Sequence, residues 1–216
     1  MGLAVDRLEL GPIGTNTYVV RGSETAGEAV VVDPSGDAET IVGVLDARSA
    51  RCAAILVTHG HFDHIVSLAD LAAETGAPVY APAVEEAVFA DPSLFSIPGF
   101  TVKPAQPDNW LEGGETVVAA GISFAVTSVP GHSPGHLAYY ADARLFSGDV
   151  LFAGSVGRTD FPGADWNVLQ ASIASLLDAY PPETVVYPGH GPETTLGAEL
   201  QRNPFLGELR AARIAE

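Results

Sequence analysis

Cysteine and methionine are almost missing from this chain of 216 residues, with one of each. A lone Cys52 excludes an internal disulfide, suits a reducing cytoplasm, and is expected to be a small core residue. Basic residues are scarce too, ten against 27 acidic, for a formal net charge of −17. That balance argues against the basic field that nucleic-acid phosphates require and disfavours anionic membranes. Long hydrophobic runs are absent: "AAILV" and "TVVAA" are far too short to span a bilayer. The opening "MGLAVDRLELGPIG" has no basic region followed by an apolar one, and Asp6 stands where a myristoylation signal needs Ser or Thr. Neither a secretory leader nor a lipid anchor is therefore expected. No linker-like composition divides the chain, and residues 1–216 read as one domain with a sizeable core.

What is present is unevenly distributed. All six histidines fall in three short stretches, "THGHFDH" (58–64), "PGHSPGH" (130–136) and "PGHGPET" around His190. The pattern around them is that of alternating strands and helices. Strands are expected over 16–22 and 28–33, joined as a hairpin through "SETAG". A helix is expected over 37–50, a buried strand over 53–58, and a helix over 65–76 ended by Gly76 and Pro78. "PVYAP" reads as a short strand and 83–90 as a short helix. Residues 91–109 form the longest irregular stretch, a length often associated with function. Strands over 116–120, 122–129, 137–141 and 144–147, a helix over 165–179, a strand over 184–188 and a helical tail broken at Asn203-Pro204 complete the reading. Two β-rich halves with helices outside predict a four-layer αββα sandwich, with its site at the strand ends along one edge. A faint internal echo supports this: "ILVTHGH" and "TVVYPGH" are both β-branched runs ending in a turn with histidine.

His59 and His61, one residue apart after a buried strand, can turn both imidazoles toward one ion. Asp63 and His64 follow at once and can serve a second. Imidazole with carboxylate suits zinc, manganese or iron, whereas magnesium and calcium prefer oxygen alone. His132, His190 and Asp149 each follow a strand and can reach the same edge. A carboxylate can bridge two ions because its oxygens diverge, which makes Asp149 notable. His136 is assigned to packing or hydrogen bonding behind His132, since a lone turn histidine is usually structural. Asp33, ending its strand near that edge, is the candidate for fixing an imidazole by a hydrogen bond.

"THGHFDH" resembles the His-x-His-x-Asp-His signature of the metallo-β-lactamase superfamily, and the later residues match its remaining ligands in order. The resemblance implies that His59, His61 and His132 hold one metal, that Asp63, His64 and His190 hold the other, and that Asp149 bridges. "PGHSPGH", "GDVLFAGSVGRTDFPG" and "YPGHGPETT" are similar to the glyoxalase II branch, the hydroxyacylglutathione hydrolases, in a short form without their C-terminal helical domain. The implied activity is hydrolysis of thioesters of the S-lactoylglutathione type. Two divalent ions, zinc in first place with iron or manganese as alternatives, would generate a bridging hydroxide as nucleophile. Asp63 would orient that hydroxide. Arg158 stands where the family has a basic substrate-binding residue, but Asp160 replaces an expected tyrosine. Superfamily lactamases usually carry cysteine where this chain has Asp149, so β-lactam hydrolysis is not expected. "GRTDF" also resembles persulfide dioxygenases of the same fold, which use one iron and form the alternative reading.

Overall fold

The computed structural model describes residues 2–95 and 101–214. The first half forms a six-stranded sheet of β1 (Ala4–Leu10), β2 (Thr15–Arg21), β3 (Glu28–Val32), β4 (Arg51–Leu56), β5 (Val79–Pro82) and β6 (Asn109–Leu111), in that spatial order. The first three strands are antiparallel in succession, and β3 through β6 are parallel. Helices α1 (Ala38–Ala47), α2 (Phe62–Ile65), α3 (Leu68–Thr75) and α4 (Glu86–Ala90) provide the connections. The second half forms the other sheet from β7 (Thr116–Ala119), β8 (Ile122–Ser128), β9 (Leu137–Ala141), β10 (Arg144–Gly148), β13 (Val185–Pro188) and β14 (Thr194–Thr195). A small hairpin, β11 (Leu151–Phe152) and β12 (Ser155–Val156), precedes α5 (Trp166–Ala179). Helices α6 (Leu196–Arg202) and α7 (Gly207–Ile214) follow.

Side-chain alternation along the strands builds three cores between four layers. In β2 and β4, Tyr18, Val20, Ala54 and Leu56 face Phe124, Tyr139 and Phe146 of the second sheet. Their neighbours Val19 and Ile55 face the other way, against Ile41 and Leu45 of α1 and Leu68 and Leu71 of α3. On the far side, Leu169, Ile173 and Leu176 of α5 cover Leu145 and Val186. Strands covered on both faces read as continuous apolar runs, which is why "AVVV" and "AAIL" carry no polar alternation. Each such fully buried aliphatic side chain is worth roughly 1.5–3 kcal/mol relative to exposure. This is the expected αββα sandwich.

Local signals set most of the boundaries. The Asp37 carboxylate accepts from the Thr40 amide at 2.8 Å and starts α1, Asp165 does the same for α5 through Val168 at 3.0 Å, and Gly76 at φ 65° ends α3. The structure departs from the sequence reading at several places, among them the short strands β6, β11, β12 and β14, which the sequence reading does not include. The helix expected over 65–76 begins earlier, as α2, and is interrupted before α3. The edge strand β1 was not anticipated, although Leu8 and Leu10 pack inward while Arg7 and Glu9 face solvent. Its acidic and basic residues disguised an alternating pattern. Part of the irregular stretch, residues 96–100, lies outside the described residues. Among the described residues no helix is long and apolar enough to cross a membrane.

Candidate metal centre

Strands β3, β4, β8, β10 and β13 all deliver chain to one edge of the sandwich. There Asp33, the segment from Thr58 to His64, His132, Asp149 and His190 converge. His59 and His61 precede α2, while Asp63 and His64 ride on it. The donor atoms of His59, His61 and His132 lie within 4.8 Å of one another, as do those of Asp63, His64 and His190. Asp149 stands between the trios. Its Oδ1 is 3.4 Å from Nε2 of His64, and its Oδ2 is 3.5 Å from Nε2 of both His132 and His190. All seven side chains expected at the site are thus brought together.

The outer nitrogens of the imidazoles are tied down. Nδ1 of His64 donates to Oδ2 of Asp33 at 2.9 Å, and Nδ1 of His132 donates to the Arg158 carbonyl at 2.8 Å. The Thr58 hydroxyl donates to Asp33 at 2.7 Å and accepts from Nδ1 of His59 at 3.0 Å. Each of these rings then offers a lone pair on Nε2 toward the centre, the tautomer a metal requires. Nε2 of His59 is buried with no hydrogen-bond partner. Nε2 of His64 and Oδ1 of Asp149 likewise make no hydrogen bond, although they are neighbours. Unmatched buried acceptors are costly unless a cation satisfies them. The nitrogen and oxygen donor set therefore fits divalent transition metals.

Charge is divided between the trios. Burial, reinforced by adjacent imidazoles, holds His59 well below the usual histidine range, and burial with His132 brings His61 down to about 3. Burial also opposes charge on His64 and His190. The carboxylates of Asp63, Asp149 and Asp33 outweigh it at His64, and hydrogen bonding to Asp149 and Asp63 raises His190 to about 10. His59 and His61 are thus neutral donors, whereas the second trio demands positive charge, which a metal ion can supply by displacing protons.

Residues 10–190 match the model of the metallo-beta-lactamase superfamily. This chain belongs to that superfamily. A probable metallo-hydrolase of Bacillus subtilis, YqgX, is 37% identical over 205 residues, covering 93% of this chain and 96% of that protein. The hydroxyacylglutathione hydrolase GloC of Haemophilus influenzae is 34% identical over 187 residues, covering 82% and 87%. Among solved structures, the BLEG-1 B3 metallo-beta-lactamase superposes with a TM-score of 0.89 at 40% identity, covering 94% of this chain and all of that one. TTHA1623 in a di-iron-bound form gives 0.79 at 42% identity with the same coverage. ETHE1 from Myxococcus xanthus gives 0.76 at 27% identity, covering 94% and 85%. The chain is a metallo-hydrolase of the metallo-beta-lactamase superfamily.

The remaining residues singled out in the sequence find clear places. Cys52 is buried, and that burial raises its thiol to about 11, in keeping with a core residue. His136 is fully buried behind His59, stacked on it at 4.5 Å, rather than behind His132 alone. Its Nδ1 faces the Leu137 carbonyl at 3.1 Å, and its Nε2 accepts from the Asp149 amide at 3.1 Å. His136→Ala should therefore keep its full complement at saturating metal while lowering Tm, as removal of a buried side chain from a packed site does. Elemental analysis showing one ion lost per chain would make His136 a ligand. Arg158 lines the cleft, but its guanidinium is held by Asp160 at 2.9 and 2.7 Å and lies 4.5 Å from the Phe161 ring centroid.

Sequence reasoning missed the supports supplied by β2. The Thr15 hydroxyl donates to Oδ2 of Asp63 at 2.7 Å. The Asn16 amide side chain donates to the carbonyls of Pro188 and Gly191 at 2.9 and 2.8 Å, and the Tyr18 hydroxyl donates to Pro188 at 2.6 Å. The first sheet thereby fixes the loop of the second that carries His190. The available signal was "TNT", a polar run in a strand that is buried along its whole length.

Proposed function

We propose that this metallo-hydrolase is a dinuclear thioesterase acting on substrates of the S-lactoylglutathione type. The observation that carries the reading is Asp149, in reach of both ligand trios and lining a cleft of about 540 Å³. Zinc is the proposed metal, with iron the first alternative because a close structural neighbour is di-iron-bound. Two such ions would lower the pKa of a shared water to near neutrality and polarise a carbonyl. Asp63, aimed by Thr15, is placed to orient the attacking water. Phe62, Phe152 and Phe161 wall the cleft and limit bulk solvent around the scissile bond. A leaving thiolate, with a parent pKa of about 8.5, needs no dedicated general acid. The acidic surface favours a small-molecule substrate over nucleic acid or membrane, and the single buried cysteine supports a cytoplasmic setting.

Glutathione itself is weakly held in this reading, because the Arg158 cation is already paired with Asp160. Hydrolysis of S-lactoylglutathione should saturate weakly, with thioesters of other thiols within about tenfold, or roughly 1.4 kcal/mol. Arg158→Ala should raise KM for the glutathione thioester more than it lowers kcat, whereas Asp160→Asn, which frees the guanidinium, should lower that KM. Parallel assays on a β-lactam and of oxygen uptake with a persulfide complete the test. Turnover of either, without thioesterase activity, would overturn the proposal. The oxygen-uptake arm reflects the alternative of a single-iron persulfide dioxygenase. It has its own support in the convergence of His59, His64 and Asp149, two imidazoles and one carboxylate.

A further inference from the structure

Glu85 lies at the end of a short 3-10 turn, outside the cluster of metal-ligating side chains, and is 5% exposed. No ion pair to it occurs among the described residues. Its Oε2 accepts from the Gly60 amide at 2.5 Å. Its Oε1 accepts from the Ser133 hydroxyl at 2.5 Å and from the Gly135 amide at 2.9 Å. Gly60 is the residue between His59 and His61, and Ser133 follows His132. One buried carboxylate therefore clasps both loops that carry the first trio, one from each half of the sandwich. The two glycines admit it: a Cβ at 135 would lie 2.8 Å from Cγ of Glu85, and one at 60 would lie 3.1 Å from Oε2.

We propose that Glu85 is a positioning residue for the first metal, setting the separation between the His59–His61 segment and His132. The physical reason is that the first trio spans two chain segments far apart in sequence, and it consists of imidazoles alone. Its geometry depends on how the two loops are held. A carboxylate accepting from three donors on two loops is a strong, short clasp. The second trio is braced by other groups, Thr15, Asn16 and Asp33. The inference rests on the metal reading of the site and is independent of the thioester reading.

Glutamine at 85 retains the shape but has one acceptor end. Whichever way the amide turns, its NH2 meets a backbone N–H of one of the two loops. The test is zinc titration against a chromophoric chelator in two backgrounds, each with and without Glu85→Gln. In His190→Ala, where the second trio is broken, the change should weaken zinc binding by about 10- to 100-fold, the range for residues that orient metal ligands. In His61→Ala, where the first trio is broken, it should shift affinity by less than about threefold. Equal losses in both backgrounds, or none in the first, would overturn the proposal. If Glu85→Gln does not fold by circular dichroism, Ser133→Ala keeps the carboxylate and removes one of its donors. It should weaken the first site alone, by about fivefold, the equivalent of about 1 kcal/mol for one hydrogen bond, and unchanged affinity would equally defeat the idea. Absence of zinc binding by the unmodified chain would instead defeat the metal reading, and this inference with it, whatever the outcome of thioester assays.

Discussion

Asp149→Ala is expected to empty both metal positions together while leaving the fold intact. Alanine leaves the backbone amide and its bond to His136 in place. What disappears is a carboxylate whose two oxygens reach His64 on one side and His132 and His190 on the other. The charge matters as much as the contact. His190 owes its rise to about 10 to hydrogen bonding with Asp149 and then Asp63, against the opposing effect of burial. Without Asp149, the second trio loses a large part of its anionic share and the first loses a neighbouring carboxylate donor. Metal content should fall from about two ions per chain to well below one. The kcat/KM for a thioester should drop by at least about 10³-fold, or roughly 4 kcal/mol. Elemental analysis of dialysed protein checks the first figure and steady-state kinetics the second. Full metal content in this variant would show that the bridging assignment is wrong.

Asp33→Asn should be nearly as damaging, although Asp33 belongs to neither trio. Its carboxylate accepts three donors: the Thr58 amide at 2.7 Å, the Thr58 hydroxyl at 2.7 Å and Nδ1 of His64 at 2.9 Å. An asparagine has one acceptor end for that set. With its NH2 toward His64, the imidazole must accept on Nδ1 and carry its proton on Nε2, which closes the lone pair aimed at the metal. With the amide reversed, the buried Thr58 amide loses its partner, at a cost of about 1–3 kcal/mol. The Thr58 hydroxyl transmits the disturbance to His59, because it accepts from that ring. Zinc affinity of the second trio should fall by about 10- to 100-fold, with a smaller loss at the first. Asparagine suits the backbone here, since position 33 has φ 52°, a region that Asp and Asn tolerate better than most residues. Circular dichroism should therefore show a folded protein. Wild-type zinc affinity in chelator competition would mean that Asp33 does not set the tautomer of His64.

The sequence by itself determined the chemistry of the centre and the architecture around it. Histidines confined to three turns, each after a β-branched run, are legible because ligand spacing and strand periodicity are local properties of the chain. The caps at Asp37 and Asp165 and the stop at Gly76 are local in the same sense. The sequence also pointed to Asp33, since a carboxylate at a strand end near the motif has few other uses. Tertiary structure alone decided how the ligands are held. The partners of Asp63 and of the His190 loop are Thr15, Asn16 and Tyr18, all distant from them in sequence. Only the folded structure revealed that Asp160 pairs with Arg158 at the surface, or that His136 stacks on His59 and holds the Asp149 amide. Glu85 was invisible among the acidic residues of "AVEEAVFA", because its neighbour Glu86 has the same chemistry at a different angle. A hydrogen bond between loops from opposite halves depends on the register of two sheets and the gap between them. Neither is encoded in any single stretch of residues.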